Sequence, residues 1–217
     1  MISILAAKNT ACPSGNGMNS ESLVFLPEAH SYLYDGVRVP CVSDLCRFVS
    51  REIYQDTPQW KLDAAAERGT AVHAAAEKLD RTGEAEIDDV YLPYLEAYAA
   101  FRREQSVSWE FIEQSFFHPA FRYAGTIDRY GILDGKKTLV DLKTTYAVHR
   151  PVCAASLNLY RLLLESNGYP VERMLILHLQ KTGKYRLIPF EIDNDIPYAL
   201  LILQKLTYKR KRGKRNG

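Results

Sequence analysis

Two aspartates and a lysine lie close together in the sequence, in segments that alternate apolar and polar residues as strands do. Asp128 belongs to the segment Tyr123–Leu133, while Asp141 and Lys143 belong to the segment Thr138–Lys143. Successive side chains of a strand point to opposite faces, so Asp141 and Lys143 share a face. These residue types could bind a divalent cation and place a positive charge beside it.

The turn between the two segments predicts how the aspartates face each other. Asp134-Gly135 is a strong signal for a two-residue hairpin turn. If Leu133 pairs with Lys136, the same register places Asp128 opposite Asp141, with Cβ atoms about 5 Å apart. Like charges placed there repel, and a Mg²⁺ or Mn²⁺ ion between the carboxylates would relieve the repulsion. A register slip of one residue would separate the pair.

Lys143 would lie beside such a cation, where its ammonium group could orient a water and offset charge developing on a phosphate. The alternate positions of the hairpin, Ile127, Val140 and Leu142, are apolar and are expected on the opposite face. The alternative is a solvent-facing hairpin with incidental charges, because Asp-x-Lys is a common sequence. The opposed aspartates favour the metal site.

A histidine and a glutamate occur four residues apart in an alanine-rich segment. His73 and Glu77 therefore share one face of a predicted helix over Leu62–Leu79, which we expect to begin at Thr57-Pro58 and to break at Gly69. Imidazole is a good ligand for Mn²⁺. The alternative is a His–Glu pair on a partly exposed helix.

Two further groups could contact a substrate. The predicted helix Pro151–Asn167 carries Ser156 and Tyr160 on one face, with Arg161 beside them. Such a face also occurs where a helix only packs against a neighbour. Residues 209–217 contain six basic residues, among them Lys209, Arg210, Lys211 and Arg212. Basic tails are commonly disordered and bind polyanions.

The overall pattern predicts one domain of mixed α/β class. Helices precede three strands, and a helix, two strands and a last helix follow, which indicates a largely antiparallel meander with a helical crossover. We place the domain at residues 23–208, between a flexible lead at residues 1–22 and a disordered basic tail at residues 209–217. A hairpin is expected over residues 30–40, around Asp35-Gly36.

Composition excludes several classes of protein. The 217 residues are 47% hydrophobic, which suits a single core, and no segment reaches the length of a membrane span. The four cysteines form no C-x-x-C pair and lack histidines at finger-like spacing, so we expect reduced thiols and no zinc site.

The motifs resemble, in order, those of the PD-(D/E)XK nuclease superfamily, and its RecB-type and phage-exonuclease branch in particular. The resemblance covers residues 24–190 and includes Gly-Thr-x-x-His (Gly69 to His73), Gly-x-x-Asp (Gly125 to Asp128), Asp-x-Lys (Asp141 to Lys143) and a following helix with Tyr160. It implies a restriction-endonuclease-like core, in which helices flank a central mixed sheet.

The resemblance also implies roles for single residues. Metal ligation is expected from His73, Asp128, Asp141 and the backbone carbonyl of Leu142, with Lys143 as the catalytic lysine. Glu77 and Glu113 are candidates for additional acidic groups at the site.

Two departures from the family pattern bear on the site. Ile127 stands where many members have proline, and Ser156 stands four residues before Tyr160, where the helix usually presents glutamine. The second departure leaves substrate positioning open. Some members also bind an iron–sulfur cluster, but no cysteine group follows Cys153, so no iron–sulfur cluster is expected.

The activity implied is that of a Mg²⁺- or Mn²⁺-dependent deoxyribonuclease, an exonuclease rather than an endonuclease. The setting would be phage or prophage DNA recombination, repair or end processing, in the cytoplasm of a bacterial or phage-infected cell. Single- or double-stranded DNA would be the partner, with a recombination protein as a further partner and no membrane. Two alternatives stay open: a catalytically weak nucleic-acid-binding module of the same fold, and a structural or interaction protein.

Overall fold

The computed structural model describes residues 2–3 and 23–213, with the backbone alone for residue 3 and residues 208–213. In chain order its elements are β1 (Ile2–Ser3), β2 (Leu23–Leu26), β3 (Ser31–Tyr34), β4 (Val37–Val39), α1 (Val42–Tyr54), α2 (Gln59–Thr82), β5 (Glu84–Ala85), α3 (Leu92–Glu104), β6 (Val107–His118), β7 (Tyr123–Leu133), β8 (Lys136–Lys143), α4 (Arg150–Ser166), β9 (Arg173–Leu179), β10 (Tyr185–Phe190) and α5 (Asp195–Gly213).

A five-stranded mixed sheet forms the centre of the fold, in the order β10-β9-β8-β7-β6. Neighbouring strands are antiparallel except β8 and β9, which are parallel and are joined through α4. A parallel pair requires a crossover connection, and the apolar helix α4 supplies it. The predicted α/β class, with a largely antiparallel sheet and a helical crossover, is confirmed.

The hairpin between β7 and β8 has the predicted register. Asp134 and Gly135 have φ angles of +50° and +77°, and positive φ at both central residues matches the twist of the flanking strands. Leu133 pairs with Lys136, and the register continues to Arg129 opposite Val140. The two aspartates therefore belong to the next pair of positions along the hairpin.

Helices cover both faces of the sheet. α2 and α3 pack on one face against residues that include Val140, Leu142 and Leu177, while α4 packs on the other face against Leu139 and Ile176. Ile127 lies in the α4 cluster, so our expectation that it shares a face with Val140 and Leu142 is wrong. β7 and β8 separate near this position, which lets Ile127 leave the strict alternation.

Smaller elements complete the domain. α1 and α5 pack against α4, and the sheet β2-β3-β4 packs against Phe117 and Ala124 at the edge of the central sheet. The hairpin expected at residues 30–40 is β3 and β4, with Asp35 and Gly36 in its turn. In the part of the chain that the structure describes, no helix has the length and apolar character needed to cross a membrane.

Helix α2 differs from expectation because it continues through Gly69 without a break. A glycine inside a helix costs only about 1 kcal/mol relative to alanine, which the rest of the helix can offset. Residues 59–71 contain no buried residue, and the buried positions of α2 begin at Val72. The first half of this helix therefore projects beyond the core, while the second half packs on the sheet.

Ordered structure extends beyond both predicted ends of the domain, residues 23 and 208. Ile2–Ser3 pair with Glu84–Ala85, and the backbone of α5 continues past Tyr208 to Gly213. The rest of the predicted lead, residue 1 and residues 4–22, lies outside the described residues. So do the side chains of the predicted tail, which include Lys209, Arg210, Lys211 and Arg212.

Candidate metal centre

Asp128 lies where strands β7 and β8 move apart. Instead of another backbone pair, the Oδ2 atom of Asp128 accepts a hydrogen bond of 2.8 Å from the backbone N–H of Leu142. The carboxylate thus replaces a carbonyl in the ladder, and its other oxygen makes no hydrogen bond to the described residues. The separation of the strands opens the space that Asp128 and Asp141 share.

Helix α2 brings His73 to this space. Ala75 and Ala76 are buried, and their small side chains let the helix approach the sheet closely. The Nε2 atom of His73 lies 3.3 Å from the carbonyl oxygen of Leu142 and 3.8 Å from Oδ2 of Asp128. His73 therefore lies close to Asp128 and to the carbonyl of Leu142, two of the groups expected to bind the same metal ion.

Strand β6 contributes Glu113, whose Oε1 atom is 3.2 Å from Nδ1 of His73. Burial by itself lowers the pKa of His73, but the charges of Asp128 and Glu113 outweigh it and raise the pKa to about 9. When no metal is bound, the charges of Asp128 and Glu113 therefore favour the protonated form of the imidazole.

Asp141 and Lys143 form a close ion pair on β8, with Nζ 2.5 Å from Oδ2. The side chain of Asp141 is 5% exposed and that of Lys143 is 31% exposed. Burial raises the pKa of Asp141, and repulsion by Asp128 acts in the same direction, whereas Lys143 opposes both. Burial would lower the pKa of Lys143, but Asp141 and Asp128 together raise it and keep the ammonium group charged.

The donor atoms fit a divalent cation. His73, Glu113 and Asp128 each offer one ligand atom, and these atoms lie within 4.8 Å of one another. Carboxylate oxygens with an imidazole nitrogen suit Mn²⁺ and Mg²⁺. Among the described residues, Asp141 is not in this group, and its Oδ2 atom lies against Nζ of Lys143.

A buried charged network lies next to the site and was not predicted from the sequence. It consists of Asp80, Tyr98, Arg102 and Arg129. Arg129 is fully buried, and its Nε lies 2.8 Å from Asp80 Oδ2 and 3.1 Å from the Tyr98 hydroxyl. Arg102 contacts the other oxygen of Asp80 at 2.9 Å. The available signal was a charged residue at a core position: Asp80 follows His73 by two helical turns, and Arg129 follows Asp128 directly.

Helix α4 carries Tyr160 and Ser156, two of the residues predicted to contact a substrate. Tyr160 lies near the two aspartates, and burial together with their charges raises the pKa of its hydroxyl well above the usual value. Ser156 donates to the carbonyl of Cys153 within its own helix. Cys153 is itself close enough to Asp141 and Lys143 for their charges to affect its pKa.

Two candidates are engaged away from the centre. Glu77 forms an ion pair with Arg81 on the surface of α2, with Nε 2.8 Å from Oε1. Arg161 is 4% exposed, and its guanidinium group binds Glu165 and Asn194 at 2.7 and 2.8 Å. In the described structure Arg161 therefore ties α4 to the segment before α5.

Gly125 explains one part of the Gly-x-x-Asp motif. A Cβ atom at this position would lie 2.8 Å from Cε1 of Tyr160 and 2.9 Å from Cγ2 of Val42. Only glycine lets the Tyr160 ring pack this closely on β7, three residues before Asp128. The motif thus couples the position of Tyr160 to that of the strand carrying the carboxylate.

No protein-family model matches the chain, and no curated protein matches it. Among solved structures, it is similar to a protein from Eubacterium rectale provisionally named an exonuclease, with a TM-score of 0.45 and 14% identity over 67% of this chain and 65% of that one. It is also similar to the protein SSO0001, with a TM-score of 0.42 and 14% identity over 78% and 74%. The chain thus spans less than two thirds of the first of these proteins. At this degree of similarity neither structure bears on activity.

Proposed function

We propose that the chain is a divalent-metal-dependent nuclease that hydrolyses phosphodiester bonds in DNA. The observation that carries the proposal is the convergence of His73, Glu113 and Asp128 beside the buried pair of Asp141 and Lys143. These residues come from α2, β6, β7 and β8. The three carboxylates come from three neighbouring strands and repel one another, and a divalent cation would relieve that repulsion.

The residues present would hold the cation through His73, Asp128 and Asp141, with the carbonyl oxygen of Leu142 as a further ligand. A divalent cation bound there would act as a Lewis acid toward a phosphate oxygen. The ammonium group of Lys143 would stabilise the negative charge that develops on the phosphate as water adds and a P–O bond breaks. Its ion pair with Asp141 would hold it beside that phosphate.

For the finer assignment, we propose an exonuclease that processes DNA ends in phage or prophage recombination or repair, in the cytoplasm. The order of the Gly-x-x-Asp and Asp-x-Lys motifs supports the proposal, and Tyr160 would contact the substrate strand. The basic residues 209–212 would add salt-dependent affinity for phosphates. A recombination protein would be a further partner.

Digestion of DNA labelled at one end tests the proposal. Single- and double-stranded substrates are incubated with the wild-type chain and Mn²⁺, Mg²⁺ or a chelator. We expect metal-dependent cleavage that releases nucleotides from an end, whereas internal cuts would indicate an endonuclease. DNA binding without cleavage would favour the catalytically weak module. Failure to bind Mn²⁺ would contradict the proposal and favour an interaction protein.

A further inference from the structure

Glu113 lies between the candidate metal ligands and the buried network. Its Oε1 atom is 3.2 Å from Nδ1 of His73 and 3.0 Å from Nη1 of Arg129. The same Nη1 donates to the backbone carbonyl of Asp128 at 2.6 Å. Arg129 thus contacts both the carboxylate behind His73 and the backbone that carries Asp128.

The backbone at Glu113 is in a conformation that a glutamate rarely adopts. Its φ angle is +48°, in the left-handed region, although the residue lies inside strand β6. Such a conformation is strained and persists when surrounding contacts fix it. The contacts with His73 and Arg129 are the ones that hold this carboxylate in place.

The chemistry of the two partners decides how the imidazole is oriented. An ionised carboxylate only accepts hydrogen bonds, so the hydrogen bond to Glu113 requires a proton on Nδ1 of His73. Nε2 then points to the carbonyl of Leu142 and to Asp128. Histidines that bind metals commonly donate their second N–H to a carboxylate in this way, which fixes the tautomer and the ring orientation.

We propose that Glu113 and Arg129 are positioning residues: Glu113 holds the Nδ1–H of His73 so that Nε2 faces the metal position, and Arg129 holds Glu113. Glu113 then acts through His73 and is not itself a metal ligand. This inference rests on the proposed function, since it requires that His73 binds a metal.

The buried network provides a matched control for Arg129. Arg102 contacts the same Asp80 carboxylate and is 11% exposed on its side chain, yet its described ion pair does not include Glu113. Arg129→Lys and Arg102→Lys therefore make the same change to the same network. The two variants differ in whether the contact to the carboxylate behind His73 is altered.

The first test measures Mn²⁺ binding to the full chain by calorimetry. Glu113→Ala should weaken binding by about 10–100-fold, as expected for a residue that orients a ligand. Glu113→Gln should restore most of the affinity, because an amide oxygen still accepts from His73 and Arg129. A loss in Glu113→Gln as large as that in Asp128→Asn would show a direct ligand and overturn the proposal, as would wild-type affinity in Glu113→Ala.

The second test compares the two lysine variants by thermal unfolding and Mn²⁺ affinity. Both should unfold at lower temperature, but only Arg129→Lys should bind Mn²⁺ more weakly. An equal loss of affinity in both would show that the network acts through stability alone and would overturn the role of Arg129. If Arg129→Lys does not fold, the two Glu113 variants decide the question.

Imidazole ¹⁵N spectra of the wild-type chain with Mg²⁺ give a third, activity-independent measurement. The proposal expects His73 to carry its proton on Nδ1, whereas a proton on Nε2 would overturn it. Absence of any Mn²⁺ binding by the wild type would refute the proposed function, and the positioning role with it. Wild-type binding that is lost in Asp128→Asn but unaffected in Glu113→Ala would refute the positioning role alone.

Discussion

Asp128 and Asp141 face the same space, but their charges are balanced in different ways. In the histidine half of the site, formed by His73, Glu113 and Asp128, one hydrogen bond links Glu113 to the imidazole and another links Glu113 to buried Arg129, while Asp128 lies 3.8 Å from the imidazole. In the lysine half, formed by Asp141 and Lys143, one carboxylate lies against one ammonium group at 2.5 Å.

The difference indicates which groups are ready for a cation. In the histidine half, Nε2 of His73 and Oδ2 of Asp128 already lie 3.8 Å apart, and Glu113 contacts the other ring nitrogen of His73. In the lysine half, the Oδ2 atom of Asp141 is occupied by Lys143, so a cation must compete with the ammonium group or use the other oxygen. We infer that the histidine half binds a cation first and that Asp141 joins it.

The largest expected effect comes from neutralising each aspartate in turn. Asp128→Asn and Asp141→Asn should both abolish cleavage, but Asp128→Asn should also lose the Mn²⁺-induced rise in Tm, while Asp141→Asn keeps part of it. Thermal melts with and without Mn²⁺ measure this. Asp134→Asn in the exposed turn is the matched control and should behave as wild type. Equal loss of the Mn²⁺ shift in both site variants would remove the distinction between the halves.

Thermal unfolding without metal compares the same two aspartate variants by their stability alone. Asp141→Asn leaves Lys143 without its carboxylate partner in a largely buried position, so it should lower stability by about 1–3 kcal/mol. Asp128→Asn should lower it less, because the amide oxygen can still accept from the backbone N–H of Leu142. The reverse order would contradict the assignment of the buried ion pair.

Lys143→Ala tests the lysine half by itself. Loss of one charged group that stabilises a transition state costs about 10²–10³ in rate, so initial rates of DNA cleavage should fall by that factor. The Mn²⁺-induced rise in Tm should remain, because the ligand atoms stay in place. Lys137→Ala is the control, since Lys137 lies on the same strand and pairs with Glu110 away from the site. Wild-type cleavage by Lys143→Ala would show that the activity belongs elsewhere.

The histidine half predicts a pH dependence of stability in the presence of a chelator. The pKa of His73 is raised from 6.5 to about 9 in the folded chain, so its contribution is fully present below pH 6.5. It is lost as the pH rises from about 6.5 to 9. Urea unfolding across this range should show falling stability in the wild type and a flatter profile in His73→Gln. A flat wild-type profile would mean that the carboxylates do not hold the imidazolium.

Two glycines give expected effects of opposite sign, and the effect at Gly69 is the smallest. Gly125→Ala places a Cβ atom against Tyr160 and Val42, and it should destabilise the fold by about 1–3 kcal/mol. Gly69→Ala meets no atom within 4 Å in a helix interior and should stabilise the fold by about 0.5–1 kcal/mol. Chemical denaturation measures both. Destabilisation by Gly69→Ala would show an unrecognised contact on α2.

The sequence predicted local features better than the contacts between distant elements. The Asp134-Gly135 turn was sufficient to predict the register of β7 and β8, because turn type and hydrophobic alternation act over a few residues. Glu113 was a weaker candidate, since its placement depends on a left-handed backbone inside β6. Such a conformation is fixed by tertiary partners and leaves no pattern in the chain.

The pairing of charged side chains likewise divides into contacts predictable from local spacing and contacts between distant elements. That His73 and Glu77 share a helical face followed from their spacing, yet Glu77 pairs with Arg81 and a distant glutamate takes its place beside the imidazole. The contact of Arg129 with Asp80 joins residues 49 positions apart. Only the packing of α2 on the sheet brings Asp80 and Arg129 together, so the pattern of residues along the chain could not predict this contact.

The uneven burial of α2 has a consequence for how the chain exchanges its amide hydrogens with solvent. Residues 59–71 contain no buried side chain, so opening these turns exposes little apolar surface and costs little free energy. From Val72 onwards, opening would have to disrupt the core. Protection against exchange should therefore rise sharply between Gly69 and Ala75. His73 would then lie at the boundary between helical turns that open locally and turns that open only with global unfolding.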